Sequence, residues 1–279
     1  MPISRLYTET YGEDADMSKI VPYHRNKIVP PRGMAECLGY LYNWKKQWHG
    51  DCFCYEYHFM HFQFWDVSNM FLSKILHKDI VSLKKHGIDG IIEDGSQRSF
   101  FPTGFQFYVY GETLFDSSVS YEALKEDYFS HAFGDNWKKV AEYLEKLSEY
   151  MEFAYYFGIK STDAEKGRYY CPEMAEKAAK ARKLAISFKS VVIENKNSAY
   201  RAQSVAWRLL ERHIDIVLGV ADITEYKCVG KHQEAIEAID KLIDKMSAQE
   251  IFMERYYDHY LFARSFDGII EGKRKFDNC

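Results

Sequence analysis

Two short apolar runs that each close in acid, with an amphipathic stretch between them, stand out from an otherwise helical pattern of hydrophobic positions. The first, residues 52–59 (Cys52-Phe53-Cys54-Tyr55-Glu56-Tyr57-His58-Phe59), is brief, aromatic and preceded by the turn signal His49-Gly50-Asp51, which predicts a buried strand. The second, residues 87–95, has an Ile-rich centre between glycines and predicts another. Between them, residues 73–85 put Ile75, Leu76, Ile80 and Leu83 on one helical face with lysines mostly opposite. A strand-helix-strand unit of this length predicts a parallel pair with a right-handed crossover. Chemistry in such sheets collects at the carboxyl ends of the strands.

Upstream, residues 2–7 read as the tail of a strand, and 17–29 as a loop broken up by Pro22, Pro30 and Pro31. Residues 34–48 read as a helix with Met34, Cys37, Leu38, Leu41 and Trp48 facing a core. Downstream, the aromatic segment 58–66 is expected over the mouth of a cleft, and residues 104–115 form a helix carrying Phe105, Tyr108, Val109 and Leu114 inward. From Ser120, a Ser N-cap, the pattern is helical throughout. It predicts helices to Phe133 and over 136–157, then 172–195, 198–226 and 231–247 as an antiparallel bundle, and a tail over 251–279 that turns basic at Lys273, Arg274 and Lys275. The division expected is a partial barrel over 1–135 and a helical bundle over 136–279.

Both strands end in acid, Glu56 with His58 on one and Glu93 with Asp94 on the other. Two carboxyl groups facing one cleft at roughly 5–10 Å are the minimum set for glycoside hydrolysis, one as acid and the other as base or nucleophile. The same residues at strand ends also serve as helix caps, loop acceptors or solvated charges. The 22 Tyr, 19 Phe and 5 Trp supply core and could also stack on sugar rings. Glu93 is the expected base or nucleophile with Glu56 as its partner, while His58, Trp65, Asp94, Arg98 and Tyr108 would hold the sugar. His61, Asp66 and Gln97 are further candidate contacts.

A net charge of -4 gives no basic field for nucleic acid, and no run approaches the ~20 apolar residues of a membrane span. The first residues lack the plan of a secretion signal, so a cytoplasmic chain is expected. Six cysteines are too scattered for a disulfide framework. Cys52 and Cys54 with His49, His58 and His61 suggest zinc only weakly, because tight Cys-x-x-Cys pairs are lacking; buried thiols, and no metal or cofactor, are expected.

Pro2-Ile3-Ser4-Arg5, the strand ending Tyr55-Glu56-Tyr57-His58, the unit from Asp79-Ile80 to Gly87-Ile88-Asp89-Gly90, and Gln97-Arg98-Ser99-Phe100-Phe101-Pro102-Thr103-Gly104 together resemble the bacterial family called domain of unknown function 4838. The similarity runs over about residues 1–155. The helix with Tyr108, Gly111, Leu114 and Phe115, followed by Ser120 and Leu124, is also similar to the segment closing the barrel in family 67 alpha-glucuronidases. The resemblance implies an α/β fold: the C-terminal part, about strands six to eight, of a TIM (β/α)8-type barrel followed by an all-α bundle. It implies a glycoside-hydrolase-like chain acting on or binding an oligosaccharide or polysaccharide fragment. The family more often shows Asp where Glu56 stands, and in such hydrolases the general acid commonly lies on an earlier strand. The chain is therefore expected to be a fragment of a larger barrel, to assemble with a separate chain carrying the first half, or to be a non-catalytic sugar-binding or interaction protein.

Overall fold

The computed structural model describes residues 5–269 except 61, 96, 97 and 99. The readings on Pro2 to Ser4, His61, Gln97 and the basic tail at 273–275 fall outside the described residues. Helix α1 (Met34–Lys45) leads to strand β1 (Phe53–Phe59). The short helix α2 (Phe62–Trp65) and α3 (Met70–Leu83) then cross over to β2 (Gly90–Gly95), which pairs with β1 in parallel. Helices α4 (Phe105–Phe115), α5 (Tyr121–Phe133), α6 (Trp137–Tyr150) and α7 (Phe153–Tyr156) follow. After them come the long α8 (Glu173–Asn195), α9 (Arg201–Lys227) and α10 (His232–Ser247), and the short α11 (Glu250–Met253) and α12 (His259–Asp267). The described residues are thus mostly helical with one two-stranded parallel sheet, and they form no closed barrel.

Local chemistry sets the limits of the strand-helix-strand unit. The Asp66 carboxylate accepts the Leu72 N–H at 2.8 Å and the Ser68 hydroxyl at 3.1 Å, satisfying first-turn groups of α3. At the other end Gly87, in the left-handed region at φ 62, turns the chain, with Ile88 N–H on the Leu83 carbonyl at 3.1 Å. Lys45 reaches from the last turn of α1 to the Gly87 carbonyl at 2.5 Å and ties α1 to that turn. The first strand begins one residue later, and the second three residues later, than the apolar runs predict. Gly87 and its neighbours are spent on the turn.

The bundle follows its stripes. Ser120 accepts the Ala123 N–H at 3.2 Å as the N-cap of α5, and α8, α9 and α10 bury Ala181, Ala185, Leu210, Val217, Val220 and Ile239. Gly219 lets α9 approach α10, since a Cβ there would meet Leu242 at 2.7 Å. One apolar core is continuous from Phe64 and Phe105 through the bundle to Phe262 and Phe266, so helices on both sides of residue 135 share it.

Several expectations are corrected. The helix expected over 136–157 breaks at Met151 and Glu152, where Glu152 gathers Lys160 and Lys177. Segment 58–66 is a buried corner rather than an aromatic loop over a cleft, with Phe64 inside the core and Asp66 capping α3. Trp48 lies beyond the end of α1 and is exposed, as is Leu114 on α4. The final segment, as far as Ile269, is docked: Tyr257, Phe262 and Phe266 are buried.

Candidate functional site

Strand parity decides which side chains meet. Phe53, Tyr55 and Tyr57 alternate with Cys54, Glu56 and His58, and only the second set is buried throughout. The register places Glu56 opposite Glu93 and Tyr55 opposite Ile92. The two glutamates therefore lie side by side on one face. It is the face that the crossover helix covers, because Asp79 of α3 meets His58 there.

Beneath that face the acids are joined in a continuous buried chain. Glu56, 1% exposed, accepts Arg5 Nη1 and the Tyr7 hydroxyl, each at 2.9 Å, on Oε2, and the Tyr11 hydroxyl at 2.5 Å on Oε1. The second arm of the Arg5 guanidinium bonds Asp79 and the Glu9 carbonyl. Asp79 also accepts the Tyr11 backbone N–H at 2.8 Å. His58 closes the chain, with Nε2 2.8 Å from Asp79 and Nδ1 2.9 Å from Glu93.

Both ring nitrogens of His58 face a carboxylate oxygen, and a neutral imidazole can donate from only one of them. The arrangement therefore calls for the imidazolium. Burial alone would push its pKa down, but Glu93 and Asp79 outweigh burial and hold it up at about 9. Asp79 is likewise disfavoured as an anion by burial, yet Arg5 and His58 keep its pKa below the ordinary carboxylate value. Burial and the adjacent Glu56 push the Tyr7 and Tyr11 phenols far upward, so both remain donors. Arg5 and His58 supply two cations against three carboxyl groups. The hydroxyls of Tyr7 and Tyr11 and the backbone N–H of Tyr11 complete the set of donors.

The other predicted site residues are dispersed. Trp65 packs edge-on to Phe62 and Phe157 and donates its indole N–H to the Ser265 carbonyl at 3.2 Å. Arg98 pairs with Asp258 at 2.9 Å, anchoring the start of α12. Tyr108 donates to Asp127 across α4 and α5, and that bond, with burial, lifts its pKa to about 12. Asp94 is different. It stands next to Glu93 on the opposite face of β2, where burial and this carboxyl push the Tyr55 phenol upward. The Tyr55 and Tyr57 rings lie 5.2 Å apart. This open face carries Phe53 at 63%, Tyr55 at 43% and Ile92 at 53% exposure.

Arg5, Tyr7, Tyr11 and Asp79 are the residues that sequence reasoning missed. Asp79 had a signal, because it sits inside the apolar stripe of Leu72, Leu76, Ile80 and Leu83, where an unpaired acid would be costly. Arg5, Tyr7 and Tyr11 had none, since their partners are 45 or more residues away on Glu56. Among the described residues, no group of three or more His, Cys, Asp or Glu side chains could hold a metal ion, and Cys37, Cys54, Cys171 and Cys228 are buried free thiols. No helix among these residues is long and apolar enough to cross a membrane.

The comparisons add no name. No family model, no curated protein and no solved structure matches this chain.

Proposed function

We propose that this chain binds carbohydrate on the open face of the β1–β2 sheet, through Tyr55, Tyr57 and Asp94, and that Glu56 and Glu93 hold the fold together instead of cleaving the sugar. The observation that carries this reading is the opposite facing of neighbours along each strand. Glu56 and Glu93 face the crossover helix and are taken up by Arg5, Tyr7, Tyr11 and His58. Tyr55 and Asp94, one residue away on each strand, are the groups left at the accessible side. Aromatic rings beside a carboxylate suit a sugar, offering a stacking surface and an acceptor for hydroxyls. A buried carboxylate with three donors already bound has no access to a glycosidic oxygen.

Calorimetric titration against a panel of neutral and acidic oligosaccharides, run beside a turnover assay, tests this. Expected are binding without turnover, and at least tenfold weaker binding in Tyr55→Ala and in Asp94→Asn. Turnover by the wild-type chain that disappears in Glu93→Gln would restore the hydrolytic reading, with Glu93 as base or nucleophile.

A second reading is favoured by the same open face. Parallel sheets are ordinarily covered on both sides, whereas Phe53 and Ile92 stand more than half exposed here. This supports the two strands being part of a (β/α)8-type barrel whose earlier strands come from a separate chain. Asp94 would then sit at the shared rim, and the partner would supply the general acid. Co-expression with the product of the neighbouring upstream reading frame should then give a stable complex that gains turnover. Failure of the two chains to associate removes this version.

A further inference from the structure

At the end of the sheet opposite Asp94, where β1 and β2 begin, the surface opens into a groove of about 1140 Å³. Its floor is apolar, made by Leu38 and Leu41 of α1 with Cys54 and Ile88. Its outer wall is the irregular segment 20–31. Pro22, Pro30 and Pro31 keep that segment out of regular structure. It is pinned by the Val21 N–H on the Tyr40 hydroxyl at 3.2 Å and by a turn closed by the Lys27 N–H on the His24 carbonyl at 3.1 Å, with Asn26 at φ 64. Trp44 and Tyr23 stand at the rim, 61% and 79% exposed.

The charge of the lining is one-sided. His24 and Lys27 line the groove, and no Asp or Glu does. The floor and wall also lack the convergent polar groups that a sugar needs, which sets this site apart from the Tyr55–Asp94 face. Ligand sites of roughly 300–1,000 Å³ hold drug-sized molecules, and this groove is at the top of that range and long enough for an extended chain. An apolar trough that ends in cations is complementary to a molecule with a long apolar tail and an anionic head.

We propose that the groove binds a single-chain amphiphilic anion, a free fatty carboxylate, with its tail along Leu38, Leu41 and Ile88 and its headgroup at Lys27 and His24. Burial of each methylene is worth roughly 0.8 kcal/mol, so affinity should rise about fifteenfold for every two carbons added. The head contributes less, because an exposed charge pair is worth up to about 1 kcal/mol.

The test is titration of the full chain with octanoate, decanoate and dodecanoate below their micellar concentrations. Dodecyltrimethylammonium serves as a cation with the same tail, and anionic phosphatidylglycerol vesicles as a membrane surface. Expected are saturable one-to-one binding with the chain-length dependence above, about fivefold weaker binding of dodecanoate to Lys27→Glu, and a loss in Trp44→Ser. Both substitutions fall on exposed positions, so folding is preserved and circular dichroism verifies it. The proposal is overturned by absence of dodecanoate binding, by equal affinity for the cationic amphiphile, or by affinity unchanged in both variants. It is equally overturned by binding to vesicles without binding to free dodecanoate, or by a concentration-dependent dimer that Trp44→Ser dissolves while dodecanoate fails to bind.

Discussion

Two buried histidines, one beneath the sheet and one in the helical bundle, solve the same problem in opposite ways. His58 lies between Asp79 and Glu93, each within 2.9 Å, and is held protonated. His213 on α9 donates Nε2–H to the Val67 carbonyl at 2.7 Å, has no partner for Nδ1, and stands edge-on to the Phe101 and Tyr143 rings. Burial, only partly offset by that hydrogen bond, drives its pKa down to about 4, so it stays neutral. The difference shows what organises each region. The sheet is fixed by paired charge, which specifies partners far apart in the chain, whereas the bundle is fixed by apolar burial, which tolerates one polar ring if that ring stays uncharged.

The largest test of this contrast is removal of a cation from the sheet. Arg5→Met leaves Glu56 and Asp79 short of their counter-charge, and loss of one partner of a buried pair costs about 3–5 kcal/mol. Denaturant unfolding should show that loss, and a cost below 1 kcal/mol would mean the charges under the sheet are not what fixes it.

The next test is pH. His58 has a folded pKa raised from 6.5 to about 9, so its contribution is fully present below pH 6.5 and is lost as pH rises through 9. His213 is depressed to about 4, so its contribution is present above pH 6.5 and is lost as pH falls through 4. Each shift corresponds to roughly 3 kcal/mol at 1.36 kcal/mol per unit. Stability against pH should therefore peak near 6.5. His58→Gln should flatten the alkaline limb and His213→Gln the acid limb; a curve unchanged by either substitution contradicts the assignment. The smallest effect is the cap of α5: Ser120→Ala frees the Ala123 N–H and should cost about 1 kcal/mol, with the charged network unaffected.

Much of the frame was legible in the chain. The parallel pair, the amphipathic crossover helix, the Ser120 cap and the stripes of α8 to α10 all follow from periodicity and turn chemistry, because those signals are local. The facing of Glu56 was not legible in the same way. Alternation puts Glu56 with Cys54 and His58, but only the position of α3 reveals that this is the covered side. The break at Met151 and Glu152 carries no Gly or Pro; it is made by Lys160 and Lys177 drawing on one carboxylate. The groove beside α1 was invisible because segment 20–31 has no periodicity and its wall is formed by tertiary placement alone.

The central claim is that Glu56 supports and Asp94 meets the ligand. One measurement addresses it most directly, a calorimetric oligosaccharide titration of Glu56→Gln and Asp94→Asn side by side at a temperature where both are folded. Affinity kept in Glu56→Gln and lost in Asp94→Asn is the predicted result. Affinity lost in Glu56→Gln and kept in Asp94→Asn would contradict it.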